Sequence, residues 1–148
     1  MNSRDTRKGQ QFMGMVTYYR IVKDGKPVGD DYDVDTAYYY LSDGLDQLEL
    51  DGDVLVVGHS NASDDDEVSE DSDGGYSGSI SPRLVESGWQ ELKDLTFEQF
   101  LAAFRRSDLG RDYDEKRDRG YLEANFANLK AAYRKAAELG AGIEVDAF

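Results

Sequence analysis

The acidic side chains of this 148-residue chain are concentrated in one third of it. Seventeen carboxylates and a single base, Lys26, lie between Asp24 and Asp73, so this segment has a net charge of −16. The first 23 residues carry five bases against one acid, and the last 75 carry 11 bases against 13 acids. A folded segment that gathers so many like charges loses stability through self-repulsion. We therefore expect the arrangement to serve a strongly basic partner.

Length and composition predict a globular protein that buries its own core. The hydrophobic content is 39%, and 16 residues are Phe, Tyr or Trp. The absence of cysteine excludes disulfides and thiolate metal sites. The N-terminus is polar and basic, without the apolar stretch of a signal peptide, and no segment approaches the length of a membrane span. We expect a soluble protein of the bacterial host cytoplasm with no membrane partner.

The chain divides into an arm and one domain. Residues 1–11 are predicted to form a flexible basic arm, and residues 12–148 a single acidic α+β domain. Residues 60–79 are acidic and rich in Gly and Ser, which predicts a loop within that domain. The sequence does not show whether this loop is ordered.

The first half of the domain carries most of the predicted strands. Residues 14–22 are rich in β-branched and aromatic side chains and predict a strand, and Asp24-Gly25 after them predicts a tight hairpin turn. The apolar run at 53–57 predicts a central strand. Residues 80–92 are ambiguous, with a strand suggested around Leu84 and Val85.

Helical spacing dominates elsewhere. Asp35 is a candidate N-cap for a helix whose apolar stripe is interrupted by Gly44; the stripe is Tyr38, Leu41, Leu45 and Leu48. Thr96 and Gln99 form a capping-box pattern before a helix predicted to end at Gly110. The longest helix is predicted over 113–139, with Gly140 as its C-cap.

These elements predict an α+β fold. We expect a small, mostly antiparallel sheet from the N-terminal half, packed against two to three helices, with the longest helix near the C-terminus.

One short motif is similar to a catalytic one. Residues 54–62 resemble the nucleophile elbow of α/β-hydrolases, in which a strained turn after a strand exposes a serine, here Ser60. His59, the only histidine, lies inside the motif, so no separate general base is left for Ser60. We therefore predict no catalytic residues and no enzyme.

The acidic run also fails as a dedicated metal site. An EF-hand loop needs acids at alternate positions, then glycine and a distant glutamate. A loop starting at Asp71 has Gly75 where its third acid belongs, and one starting at Asp64 has Val68 there. Clustered carboxylates bind divalent cations weakly, and we predict no metal site and no cofactor.

Several functions are compatible with such a charge distribution. Salt adaptation predicts acids on every surface, which the 11 bases of the last 75 residues oppose, and a disordered acidic tail explains only residues 60–79. A nucleic-acid mimic would block the basic groove of a DNA- or RNA-binding enzyme, as small acidic phage and plasmid proteins do against CRISPR or restriction systems. An immunity or antitoxin protein that neutralises a cationic toxin has the same electrostatics. A phage or bacterial assembly protein with an acidic face is a further alternative.

The predicted partner-binding residues are the acids of the segment and two tyrosines. Of three successive tyrosines at 38–40, at least Tyr39 or Tyr40 should face outward among the carboxylates, as interface aromatics do. We expect the partner to be a basic protein, we expect no direct binding of nucleic acid, and the sequence leaves a homodimer open. The predicted set is Asp30, Asp31, Asp33, Asp35, Tyr39, Tyr40, Asp43, Asp46, Glu49, Asp51, Asp53, Asp64, Asp65, Asp66 and Glu67.

Overall fold

The sheet begins with a tight hairpin. The computed structural model describes residues 16–29, 31–34, 38–60 and 76–147. Strand β1 (Thr17–Lys23) turns at Asp24 and Gly25 into β2 (Lys26–Pro27), and the two turn residues have φ values of 55° and 79°. Two positive φ angles are typical of the type I′ turn that Asp-Gly favours. The predicted strand and its hairpin are confirmed.

The centre of the sheet comes from the C-terminal end of the chain. β3 (Tyr32–Asp33) pairs with β1 on the same side as β2, and two further strands follow, β4 (His59–Ser60) and β5 (Tyr76–Ile80). The last strand, β6 (Gly142–Ala147), lies between β1 and β5 and is antiparallel to both. The sequence analysis assigned no strand after Gly140. Side chains of β6 alternate between the two faces of the sheet. Ile143, Val145 and Ala147 are buried, and Glu144 between them is exposed.

The first helix forms as predicted. Helix α1 covers Tyr38–Gln47, and Leu41, Leu45 and Gly44 are buried along it. Packing explains why glycine is found at position 44 within the helix, because a Cβ built there would lie 2.4 Å from Cε1 of Phe100. The candidate N-cap of α1, Asp35, lies outside the described residues.

The predicted central strand at 53–57 is wrong, because this segment is helix α2 (Gly52–Val57). The Asp51 side chain caps it by accepting a hydrogen bond from the Val54 backbone N–H. Leu55 and Val56 are buried while Val54 and Val57 are half-buried, so the run is apolar because it is covered on several sides. A short apolar run does not show by periodicity alone whether it is a strand or a buried helix.

The region after the acidic loop also differs from the prediction. Helix α3 covers Pro82–Leu92, with Ser81 as N-cap and proline in the first turn, so no strand exists around Leu84 and Val85. The predicted loop at 60–79 overlaps β4 at Ser60 and β5 from Tyr76 onward. Its middle, residues 61–75, lies outside the described residues, as does the predicted arm at 1–11.

The remaining helices follow their sequence signals. The capping box of Thr96 and Gln99 opens α4 (Phe97–Phe104), which ends before the predicted Gly110; a 3₁₀ turn at Leu109–Asp112 follows. Helix α5 (Glu115–Leu139) is the longest, and Gly140 ends it in the left-handed conformation with a φ of 66°.

The predicted α+β class is confirmed, with an antiparallel sheet and the longest helix near the C-terminus. The sheet is not drawn from the N-terminal half alone, since β5 and β6 belong to the second half, and the described residues form five α-helices. Helices α3 and α5 contact the sheet, whereas α1 packs mainly against α2 and α4. The exposed side of α1 is therefore an outer surface of the helical layer.

Candidate protein-binding surface

Five predicted partner-binding carboxylates are brought together where α1 turns into α2. Residues 38–60 contain no Lys or Arg to offset them. Four of the five are exposed and one, Asp43, is half-buried. We call this set the acidic corner: Asp43, Asp46, Glu49, Asp51 and Asp53.

Three of these acids also hold the corner together. Asp46 Oδ1 accepts a 2.9 Å hydrogen bond from the Gly52 N–H, and Asp53 Oδ1 accepts one of 2.6 Å from the Ser42 hydroxyl. With the cap that Asp51 provides for α2, these bonds join the two helices. Within the described residues, Asp43 and Glu49 form no side-chain hydrogen bond or ion pair. As far as the described residues show, a partner meets these two carboxylates without first breaking an internal bond.

The bases of the second half do not compensate the corner. Arg119 pairs with Glu98, with Glu115 at 3.2 Å and with Glu123 at 3.8 Å, all on α4 and α5. Arg117 pairs at 2.7 Å with its neighbour Asp118, and this hydrogen bond lowers the pKa of the Asp118 carboxyl. In the part of the chain that the structure describes, no ion pair reaches the acidic corner.

The other predicted acids lie elsewhere. Asp31 and Asp33 are at the sheet edge, where Asp31 Oδ1 is 4.0 Å from Nε of Arg20 and Asp33 pairs with Tyr18 across β3 and β1. They are not part of the acidic corner. The predicted residues that fall outside the described ranges are Asp30, Asp35, Asp64, Asp65, Asp66 and Glu67.

Tyr40 faces outward, as expected of at least one of the two tyrosines, and its predicted role in partner binding stays a prediction. Tyr39 is half-buried and its ring stacks on Tyr38 at 4.3 Å, whereas Tyr40 is 37% exposed and meets Phe104 edge-on at 5.7 Å. Tyr40 precedes Asp43 by three residues, so the two lie on the same side of α1. An exposed aromatic residue thus adjoins the acidic corner.

Tyr40 lines a pocket of about 250 Å³, which we call the aromatic pocket and define by Tyr40, Leu109, Tyr113 and Tyr121. The paired Arg117 and Asp118 also line it. Tyr40, Leu109 and Tyr121 are three of the four large hydrophobic residues exposed in the described ranges. Burial raises the pKa of Tyr113 to about 12, and its hydroxyl donates a 2.8 Å hydrogen bond to Glu115. The sequence analysis missed Leu109 and Tyr121. Tyr121 was detectable as an aromatic next to Leu122, off the buried stripe of α5.

A second depression, the acid-rimmed groove, lies between α2 and α3. Its volume is about 250 Å³, its walls are formed by Val54, Leu55, Leu84 and Gly88, and its rim carries Glu49, Asp51 and Glu91. Glu91 was missed because it becomes part of this surface only through the packing of α3 near α2.

Up to Ser60, where the description of this segment ends, the motif does not have the strand that precedes a nucleophile elbow. The residues before it form helix α2 and not a strand, and Gly58 (φ 72°) leads into the two-residue edge strand β4, where His59 and Ser60 are exposed. Among the residues described, no three His, Asp or Glu side chains converge as metal ligands. No helix in those ranges is long and apolar enough to cross a membrane.

Comparison with known proteins shows the fold alone. No protein family model matches the chain, and no curated protein sequence matches it. The crystal structure of YfbM from Escherichia coli, a protein of unknown function, is similar with a TM-score of 0.53 and 12% sequence identity. The match covers 90% of this chain and 99% of that one.

Proposed function

We propose that the protein binds a basic nucleic-acid-binding enzyme through the acidic corner and inhibits it by occupying the groove that would hold nucleic acid. The observation that carries the proposal is the uncompensated charge: five carboxylates within residues 43–53, with no ion pair to any described base. Restriction and CRISPR enzymes act on nucleic acid in the bacterial cytoplasm, and an inhibitor of the anti-restriction or anti-CRISPR type would act there with them.

Charge spacing supports mimicry. Duplex DNA presents one charge per ~1.7 Å of axis, and proteins that bind it neutralise these phosphates with Lys and Arg side chains. Asp43 and Asp46 are three residues apart on α1, which separates them by ~4.5 Å along the helix axis. The α2 acids extend the same field around the turn. A basic groove built for phosphates would be attracted to this surface, and association would be fastest at low salt.

The aromatic pocket favours a second candidate, an immunity or antitoxin protein that neutralises a cationic toxin. Binding energy at protein interfaces is concentrated in a few aromatic and Arg residues seated in pockets. Such a pocket beside the acidic corner supports recognition of one particular protein shape, which mimicry of a phosphate backbone does not require. A phage or bacterial assembly role would instead have the protein binding copies of itself or other structural proteins.

The experiment is capture of partners from host lysate by three immobilised forms of the full chain, at low and high salt. The forms are the wild type, Asp43→Lys with Glu49→Lys, and a control, Glu138→Lys with Glu144→Lys. Both pairs change the net charge equally. The control acids are exposed and form only long ion pairs, at 3.7 Å and 3.8 Å, which contribute little at a surface.

A mimic predicts a basic nucleic-acid-binding enzyme that the wild type and control retain, that the corner variant loses, and that added duplex DNA releases. A toxin encoded beside this chain would support the immunity alternative. Retention of the same partner by the corner variant would contradict both. A tight complex between this protein and duplex DNA in a gel shift at low salt would contradict the mimic.

A further inference from the structure

The acid-rimmed groove combines apolar walls with a rim of one charge sign. The walls come from Val54 and Leu55 on α2 and from Leu84 on α3, while Glu49, Asp51 and Glu91 surround the opening. None of the lining residues that the structure describes is Lys, Arg or His. A ligand that fills it must place apolar atoms in the depth and positive charge at the mouth.

The rim carboxylates are available to such a ligand. Within the described ranges, Glu49 and Glu91 make no side-chain hydrogen bond or ion pair, and Asp51 uses one oxygen for the 3.4 Å cap at Val54. All three residues are exposed at the rim. An incoming cation would therefore gain new ion pairs without displacing an internal one.

Glu49 lies at the turn between α1 and the groove. It has a φ of 66°, in the left-handed position that follows the end of α1. Helices are usually terminated there by glycine, because a Cβ is unfavourable in that conformation. The turn places Glu49 among the residues that line the groove.

We infer that the groove receives an arginine side chain of the basic partner. This inference rests on the proposed function, whose partner is rich in cations. A volume of about 250 Å³ is below the ~300 Å³ at which small-molecule sites begin, so it suits one long side chain. Arginine combines an apolar stem with a planar, weakly hydrated guanidinium that binds carboxylates through two hydrogen bonds. Lysine has the stem but only a compact, strongly hydrated charge.

The test is titration of the isotope-labelled full chain with N-acetyl-arginine amide, followed by NMR. The neutral isostere N-acetyl-citrulline amide and N-acetyl-lysine amide are the comparison probes. We expect the arginine probe to shift the signals of Leu84, Ser87 and Gly88 and to bind at least about tenfold more tightly than citrulline, the result of several rim ion pairs. Lysine should bind between the two.

Variants on α3 separate a local site from the general acidic field. Glu91→Gln should weaken arginine binding about threefold, the value of one exposed ion pair. Glu86→Gln, which removes the same charge from an exposed position of α3 outside the groove, should leave binding unchanged. Ser87→Phe should block the groove, since Ser87 is an exposed lining residue whose replacement leaves the core intact.

Equal binding of arginine and citrulline, or equal effects of Glu91→Gln and Glu86→Gln, would overturn the inference. Failure of the proposed function can be told apart from failure of the groove inference. If the corner variant loses its captured partner while Ser87→Phe keeps full affinity, the function stands and the groove is excluded. If the arginine probe binds as expected but no basic partner is captured, the groove stands and the proposed function falls.

Discussion

The backbone N–H of Leu50 donates a 3.1 Å hydrogen bond to the carbonyl of Leu45, and this bond closes the C-terminal end of α1. Glu49, between them, donates its own N–H to the Asp46 carbonyl at 2.9 Å and is held in the left-handed region. The pair of bonds forms a Schellman motif, in which glycine is the favoured residue. Glu49, one of the charged residues at the rim of the groove, therefore occupies a position where uncharged glycine would make the fold more stable.

Replacing Glu49 by glycine should stabilise the fold. We expect Glu49→Gly to raise the free energy of unfolding by about 1 kcal/mol, because the left-handed backbone costs a residue with a Cβ that much. Chemical denaturation of purified protein measures it. Glu49→Ala is the control, since it removes the carboxylate but keeps the Cβ. If alanine stabilises as much as glycine, charge repulsion and not backbone strain is the cause.

Two helix glycines should respond oppositely to alanine. Gly44→Ala should destabilise by about 1–3 kcal/mol, because its Cβ would overlap Phe100 and overpacking outweighs the gain in helix propensity. Gly120→Ala on α5 should stabilise by about 1 kcal/mol, since that position is exposed and a Cβ there meets nothing within 4 Å. Thermal melts of both variants check the pair. Stabilisation by Gly44→Ala would mean that α1 does not pack on α4 as described.

The buried Tyr133 hydroxyl should make stability fall in alkali. It donates a 2.7 Å hydrogen bond to the Leu55 carbonyl, and burial raises its pKa above the ordinary value. A group with a raised folded pKa contributes stability below its unfolded pKa, about 10 for tyrosine, and this stability is lost as pH rises toward the folded value. We expect Tyr133→Phe to be less stable at neutral pH by about 1 kcal/mol, through loss of that bond.

Melting temperatures between neutral pH and strong alkali measure this effect. The wild type should lose stability more steeply than Tyr133→Phe above a pH of about 10, so that the two curves converge. Parallel curves would show that Tyr133 titrates alike in the folded and unfolded chains.

The fold was predictable where local chemistry decides the structure. The Asp24-Gly25 turn, the Thr96 capping box and the Gly140 C-cap are fixed by residues within one turn of each other, and all three are confirmed. Packing decided the rest. The apolar run of α2 is helical because Asp51 caps it and neighbouring elements cover it. β6 is only six residues long, although its alternation of Ile143, Glu144 and Val145 was a usable signal.

The acidic corner was predictable from composition, but its isolation was not. Only the structure shows that Arg117 and Arg119 are engaged by acids of their own region. The acid-rimmed groove was not predictable, because Glu49 and Glu91 are separated by the whole acidic loop and face one depression only in the folded chain. Long-range packing of this kind leaves no short-range sequence pattern.

The most direct test of the central claim is the dissociation constant of the captured partner for the two charge-reversed variants. At physiological ionic strength, where the Debye length is about 8 Å, Asp43→Lys with Glu49→Lys should weaken binding on the order of a hundredfold, because two attractive charges become repulsive at the interface. Glu138→Lys with Glu144→Lys should change it by no more than about twofold, since charges beyond a Debye length are screened. Equal losses from the two variants would contradict the account and place the interface away from the acidic corner.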